Sequence, residues 1–147
     1  MSVAVGSRAP GVPGVSQAGP HALLFYKVTC GTCQMAAPVL DRLRAYADRV
    51  VGVGQDPSEK LETFAATYSM TLPSHPDLPP YPASRAYGVE HVPTMFVVDG
   101  EGRVADVVES WDREGYNRAS RTLAGLLGAA PVVISVSSDG LPEFRPG

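Results

Sequence analysis

Apolar and polar positions fall into blocks whose period changes along the chain, and each change of period predicts an element. Residues 22–28 form a largely apolar run with aromatic side chains at Phe25 and Tyr26, which suits a buried strand. Over residues 32–47, Met35, Ala36, Val39, Leu40, Leu43 and Ala47 recur at helical spacing, while Asp41, Arg42, Arg44 and Asp48 fall mostly elsewhere. Pro38 lies inside this helix and predicts a kink, because proline removes a backbone donor at a cost of roughly 3 kcal/mol unless packing compensates. Residues 50–53 are a second apolar strand, so strand, helix and strand make a βαβ unit with a right-handed crossover. Pro57 opens a second helix with Asp56 as its N-cap and Leu61, Phe64, Ala65 and Tyr68 as its apolar stripe.

Residues 69–83 hold five of the fourteen prolines and predict a surface loop around a short strand near Thr71. One helical turn follows at 84–87. Strands at 94–98 and 104–108 flank the turn Asp99-Gly100-Glu101-Gly102, a hairpin signal that makes them antiparallel. A last helix covers 113–127, with Tyr116, Ala119, Leu123, Leu126 and Leu127 inward, and 132–136 reads as one further strand. Trp111, the only tryptophan, reads as a packing residue after the hairpin. Residues 7–19, rich in Gly, Pro and Ser, read as an extended arm.

The 147 residues suit one domain with a real core, and no internal repeat or second domain is visible. We expect one unit over 1–147, with an N-terminal arm at 1–20 and a C-terminal extension at 129–147. With 12 basic and 15 acidic residues the net charge is −3, which argues against nucleic acid as a partner. No run of 18 apolar residues predicts a membrane span. Residues 1–20 carry four Gly and three Pro and do not read as a signal peptide, so the expected location is cytoplasmic, or periplasmic or secreted if the chain is a trimmed form.

The candidate chemistry is the pair Cys30 and Cys33, the only cysteines, at a predicted strand-to-helix junction. A disulfide closing so short a loop constrains the unfolded chain little, so the pair is better explained by chemistry than by stability. Unpaired N–H groups and the helix dipole favour a thiolate at Cys30, and the thiolate is the nucleophile of disulfide exchange. Cys33, one turn later on the same face, can reach the first sulfur and resolve a mixed disulfide. Gly31 leaves room for a substrate chain. A zinc site would need two further ligands, and His21, His75 and His91 are scattered. We therefore expect no metal and no cofactor beyond the Cys30–Cys33 disulfide itself.

Residues 30–43, C-G-T-C-Q-M-A-A-P-V-L-D-R-L, resemble the active-site helix of the thioredoxin superfamily, both in the cysteine pair and in the internal Pro38. The second landmark is His91-Val92-Pro93-Thr94 just before a strand. The extra helix after the second strand, and the run V-P-T-M-F-V-V-D-G-E-G-R-V, make the chain most similar to the TlpA-like and redoxin branch, over roughly residues 3–128. The resemblance implies an α/β fold with a central mixed β-sheet flanked by helices. It implies that Pro93 is a cis residue, and that Val92 offers its backbone to a substrate strand with Thr94 beside it. It also implies thiol–disulfide oxidoreductase activity on protein disulfides, a disulfide-containing protein as partner, and an electron donor that the sequence does not name.

Departures from the pattern mark the supporting residues. Thr29 stands where thioredoxins usually carry Trp, and either donates a hydrogen bond near the sulfur or ends the strand. Thr32 places a hydroxyl near the thiolate or in solvent. Leu24 replaces a buried acid six residues before Cys30. Gln55 occupies the place of a glutamate in TlpA-like reductases and cannot take a proton; Asp56 after it can, though its main role is expected to be the N-cap. Lys27 is the nearest cation in sequence. Two other functions compete. A peroxiredoxin-like thiol peroxidase would need Pro seven and Thr three residues before its cysteine, but Leu23 and Lys27 stand there for Cys30, and Tyr26 and Cys30 for Cys33. A non-catalytic binding module using the groove beside Pro93 would not need both sulfurs.

Overall fold

A computed structural model describes residues 1–147. Its centre is β1 (His21–Tyr26), six residues that are all buried. After His21 the strand is apolar apart from the Tyr26 hydroxyl, because both of its faces are covered. Ala22, Leu24 and Tyr26 face one core, and Leu23 and Phe25 face the other. That alternation is the period-two geometry of a strand. β1 pairs in parallel with β2 (Val50–Gly54), and β2 in parallel with β3 (Ser74–Pro76). On its other side β1 pairs antiparallel with β4 (Thr94–Val98), which pairs antiparallel with β5 (Val104–Glu109). The sheet order is β3-β2-β1-β4-β5, a mixed sheet as expected.

Helices cover both faces. On the first lie α1 (Gly31–Leu40), α2 (Ser58–Tyr68) and α4 (Arg113–Leu127), which enclose Leu40, Leu43, Phe64, Tyr116 and Leu123. The second face is closed by α3 (Pro82–Tyr87) and by the N-terminal arm, through Val12, Ala83 and Tyr87. The arm then runs along β5: Gly6 N donates to the Val104 carbonyl at 2.8 Å, Val104 N to Ser7 at 2.8 Å and Ala9 N to Gly102 at 2.8 Å. Farther along, the Ser2 hydroxyl donates to Glu109 at 2.5 Å.

α4 has the predicted limits. Asp112 caps it, accepting from Gly115 N at 3.1 Å, and Gly128 ends it at φ 67°, a left-handed conformation that favours glycine. Leu126 on this helix is exposed rather than inward.

Several expectations are corrected. The first helix does not run as one α-helix to Ala47. It stays α-helical through Pro38 to Leu40, tightens to 3₁₀ geometry over Asp41–Arg49, and breaks at Ala47, whose φ is 54°. Asp41 at the change of geometry accepts from the Thr71 backbone N–H at 2.6 Å, which ties this end to the loop after α2. The short strand lies at β3 rather than near Thr71. Asp56 does not cap α2: Pro57 is the N-cap residue and no side chain bonds there.

Residues 132–136 form no strand. Side chains take their backbone donors instead: Val132 N donates to the Tyr46 hydroxyl at 2.9 Å, and Ile134 N and Ser135 N donate to Asn117 Oδ1 at 2.8 and 3.1 Å. Ile134 is fully buried, so this extension is part of the first core. It ends in a two-stranded ribbon of β6 (Trp111–Asp112) and β7 (Phe144–Arg145), paired antiparallel.

Candidate functional site

β1 delivers the chain to a short loop, and Cys30 is the N-cap of α1, with extended backbone at φ −81° and ψ 115°. Its Sγ accepts a hydrogen bond from Cys33 N at 3.3 Å, the place an N-cap serine or aspartate oxygen would fill. Both cysteines are free thiols, Cys30 half-buried and Cys33 buried at 2% exposure. The difference in exposure separates their acidities. Cys30 is lowered from an ordinary 9.0 to about 6, chiefly because the Cys33 thiol donates to its sulfur. Burial opposes this shift, and the backbone N–H groups of Cys33 and Thr32 and the charge of Arg145 add to it. Burial pushes the Cys33 thiol far up, and its hydrogen bond to Cys30 adds to the rise.

The second wall of the site is the segment before β4. The Val92–Pro93 peptide is cis, and the Val92 carbonyl accepts from Cys30 Sγ at 3.3 Å. Thr94 opens β4 opposite Phe25 and is buried, its hydroxyl donating to His91 O at 2.6 Å. Cys30, Cys33, Val92, Pro93 and Thr94 therefore meet at one end of the sheet, where β1 and β4 pair.

The supporting residues divide. Thr29 is exposed, Gly31 borders the cysteines, and Pro38 is exposed on α1 away from them. Gln55 is not at the pair: its side chain donates to Ser84 on α3 at 2.8 Å and its backbone N–H to Tyr26 O at 3.0 Å. Asp56 reaches the cysteine loop instead of α2, accepting from Val28 N at 2.9 Å, while the Gln34 side chain donates to Val28 O at 2.9 Å. The two contacts hold the loop that presents Cys30. Leu24 is buried in the core, with no acid in its place. The Lys27 side chain is exposed; its backbone carbonyl accepts from Cys30 N at 3.2 Å. Thr32 is buried, and its hydroxyl serves neither expected role: it donates to the Pro146 carbonyl at 2.8 Å.

Sequence reasoning missed two further neighbours. Arg145 lies more than a hundred positions from the cysteines, on β7, with one guanidinium nitrogen 3.6 Å from Met35 Sδ and another 3.2 Å from where a Cβ on Gly31 would stand. Only the run E-F-R-P-G after the last helix marks it, and nothing local says where that run folds. Tyr116 is fully buried, and its hydroxyl has no hydrogen-bond partner. Burial raises its pKa, with both cysteines and Asp112 adding to the rise. No group of three or more His, Cys, Asp or Glu side chains is arranged to hold a metal ion. No helix is long and apolar enough to cross a membrane.

The acidity of Cys30 predicts a pH profile. The thiolate is the reactive form, so alkylation of Cys30 by iodoacetamide should rise about tenfold per pH unit below pH 6 and level off above about pH 7. The same lowered value adds stability to the reduced folded state. That contribution is fully present above pH 9, the unfolded value, and is lost as pH falls through about 6. A rate that still climbs between pH 7 and 9 would show an unperturbed thiol.

The chain matches the AhpC/TSA family over residues 15–107. No curated protein sequence matches it. Among solved structures, MTB dsbF, in its mixed oxidised and reduced forms, is 28% identical with a TM-score of 0.60, over 71% of this chain and 81% of that one. A DsbE-type thiol:disulfide interchange protein from Chlorobium tepidum is 24% identical with a TM-score of 0.70, over 86% of this chain and 100% of that one. A secreted Mycobacterium tuberculosis disulfide oxidoreductase homologous to E. coli DsbE is 21% identical with a TM-score of 0.53, over 63% of this chain and 69% of that one. The similarity is to thioredoxin-like thiol–disulfide oxidoreductases.

Proposed function

The chain belongs to the AhpC/TSA family, with thiol–disulfide oxidoreductases as its structural neighbours, and from that premise we propose that it reduces protein disulfides through Cys30 and Cys33. The observation that carries the reading is the asymmetry of the pair: a half-exposed, acidic Cys30 against a buried, protonated Cys33. The Cys30 thiolate attacks one sulfur of the partner's disulfide. That S–S bond breaks, one partner sulfur leaves as a thiolate, and a mixed disulfide remains. Cys33 then loses its proton and attacks Cys30 Sγ, releasing the second partner thiolate and closing the Cys30–Cys33 disulfide. Two electrons pass to the partner, and a separate donor must return them.

The first step prepares the second. Once Cys30 is in a mixed disulfide, its negative charge and its hold on the Cys33 proton are both gone, and both of these raise Cys33. Burial, the largest cause, remains, so the second step still has to take a proton from a buried thiol, but against less opposition than in the free dithiol. Asp56, the acid the sequence offered as a proton acceptor, binds Val28 N in the loop that carries Cys30, which gives it a positioning role. The extended Val92 backbone before β4, next to Cys30, suits pairing with a partner strand. The reading takes residues 1–147 as one thioredoxin-like unit, supported by the burial of Val12 in the arm and Ile134 in the extension.

Equilibration in glutathione buffers tests the direction of transfer. A reduction potential near about −270 mV, with turnover of insulin disulfides, is expected. A value near about −120 mV would overturn the reductase reading in favour of an oxidant. It would also move the chain from the expected cytoplasm to an oxidising compartment, where one similar protein is secreted. Rapid consumption of peroxide without insulin turnover would favour the peroxidase.

A further inference from the structure

The cysteine groove is not open to a partner strand as it stands. Residues 129–143 are anchored: the Trp111 indole N–H donates to Pro142 O at 2.7 Å, Arg113 N to Glu143 O at 3.0 Å, and the Arg113 guanidinium to Leu141 O at 2.6 Å. Four more residues then cross the site. The Pro146 carbonyl accepts from Thr32 on α1. Gly147 N donates to the Ser110 hydroxyl at 3.1 Å, and Gly147 lies so close to the Val92 backbone that a Cβ there would overlap the Val92 carbonyl. These contacts join both walls of the groove, α1 on one side and the segment before β4 on the other.

We propose that residues 144–147 occupy the docking place beside Val92 as an internal stand-in for a substrate strand, so that a protein disulfide reacts only after displacing them. The inference rests on the functional reading above for the nature of the incoming chain. It adds that the enzyme discriminates by size. Cys30 stays half-exposed beneath the tail, so a small disulfide or alkylating agent reaches the sulfur directly. A folded or extended polypeptide meets Pro146 and Gly147 first. The tail is suited to displacement, because residues 144–147 are all exposed and Phe144 retains 58% of its surface in solvent. Its attachment within the site is a few hydrogen bonds, with no apolar side chain inserted. A partner that wins the place must supply a carbonyl for Thr32 and a small or glycine-like residue against Val92.

Two variants test this, each read by two ratios. One ends at Glu143; the other, Gly147→Val, adds a Cβ that cannot share space with the Val92 carbonyl and keeps Arg145 in the chain. The first ratio compares alkylation of Cys30 by a polyethylene-glycol maleimide with alkylation by iodoacetamide. The second compares kcat/KM for insulin with kcat/KM for a small aromatic disulfide. Using ratios removes any change in thiolate fraction that follows the loss of Arg145. If the groove is open about one-tenth of the time, both ratios rise about tenfold in both variants. Unchanged ratios in variants that keep the near-ultraviolet signal of Trp111 overturn the proposal. A rise in the alkylation ratio, with no disulfide reduced by any form, supports the covering tail and sinks the reductase reading. Insulin turnover with both ratios unmoved does the reverse.

Discussion

Cys30→Ser is expected to abolish disulfide exchange, lowering kcat/KM for insulin by at least about a thousandfold, because a serine hydroxyl is not ionised at neutral pH and forms no disulfide. Cys33→Ser is expected to fail differently. Cys30 keeps its place at the head of α1 and still accepts from the residue 33 backbone N–H, so the first attack goes ahead. The second does not, and partners accumulate as mixed disulfides that survive a non-reducing gel and vanish with dithiothreitol. Cys33→Ala blocks the same second step and also leaves no side-chain donor at position 33, so in that variant Cys30 should become less acidic, the largest cause of its lowered value being the hydrogen bond from Cys33. Its alkylation midpoint therefore moves up from about pH 6. A Cys33→Ser chain that turns insulin over at the original rate, or a Cys30→Ser chain that still traps partners, would reverse or remove the assigned roles.

Trp111→Ala is expected to cost about 3–5 kcal/mol of folding stability, measured by urea unfolding followed in the far ultraviolet. The side chain is fully buried and stacks on Tyr116 with ring centroids 5.4 Å apart and planes 16° from parallel. Its N–H also anchors Pro142, so the substitution removes packing and a hydrogen bond that ties the extension to the core. Trp111→Phe keeps most of the ring and loses the donor, and should lose less than half as much. A loss below about 1 kcal/mol for Trp111→Ala would mean the site collapses without penalty, against the tight packing around it.

The elements that were legible in the sequence are those whose pattern is local. Arg113–Leu127 carries its own cap, its own stripe and its terminal glycine, and the turn Asp99-Gly100-Glu101-Gly102 announces an antiparallel pair. The candidate site was legible where spacing carries chemistry: two cysteines one turn apart after a strand, and a proline before another. Contacts that close over long separations were not. Asp56 binds Val28, 28 positions back, instead of the helix beside it, and Thr32 binds Pro146, 114 positions on. The apolar run at 132–136 had the look of a strand because alternation reports burial. Its hydrogen-bond partners turned out to be Tyr46 and Asn117 side chains, which no period reveals. Pro38 predicted a disturbance in its helix; the geometry changes three residues later, where Asp41 meets Thr71.

The sheet described above also explains how the chain keeps to itself. An open sheet has two borders whose unpaired N–H and C=O groups can recruit a stranger's strand, the first step toward fibrils and swapped dimers. Here one border, β3, is three residues long and ends in Pro76, which has no N–H to offer. The other, β5, is occupied at its start by Gly6, Ser7 and Ala9 and met near its end by Ser2. The N-terminal arm, featureless as a pattern, thus serves as a guard on the sheet's longer border, through residues that lie far along the chain from the cysteine pair.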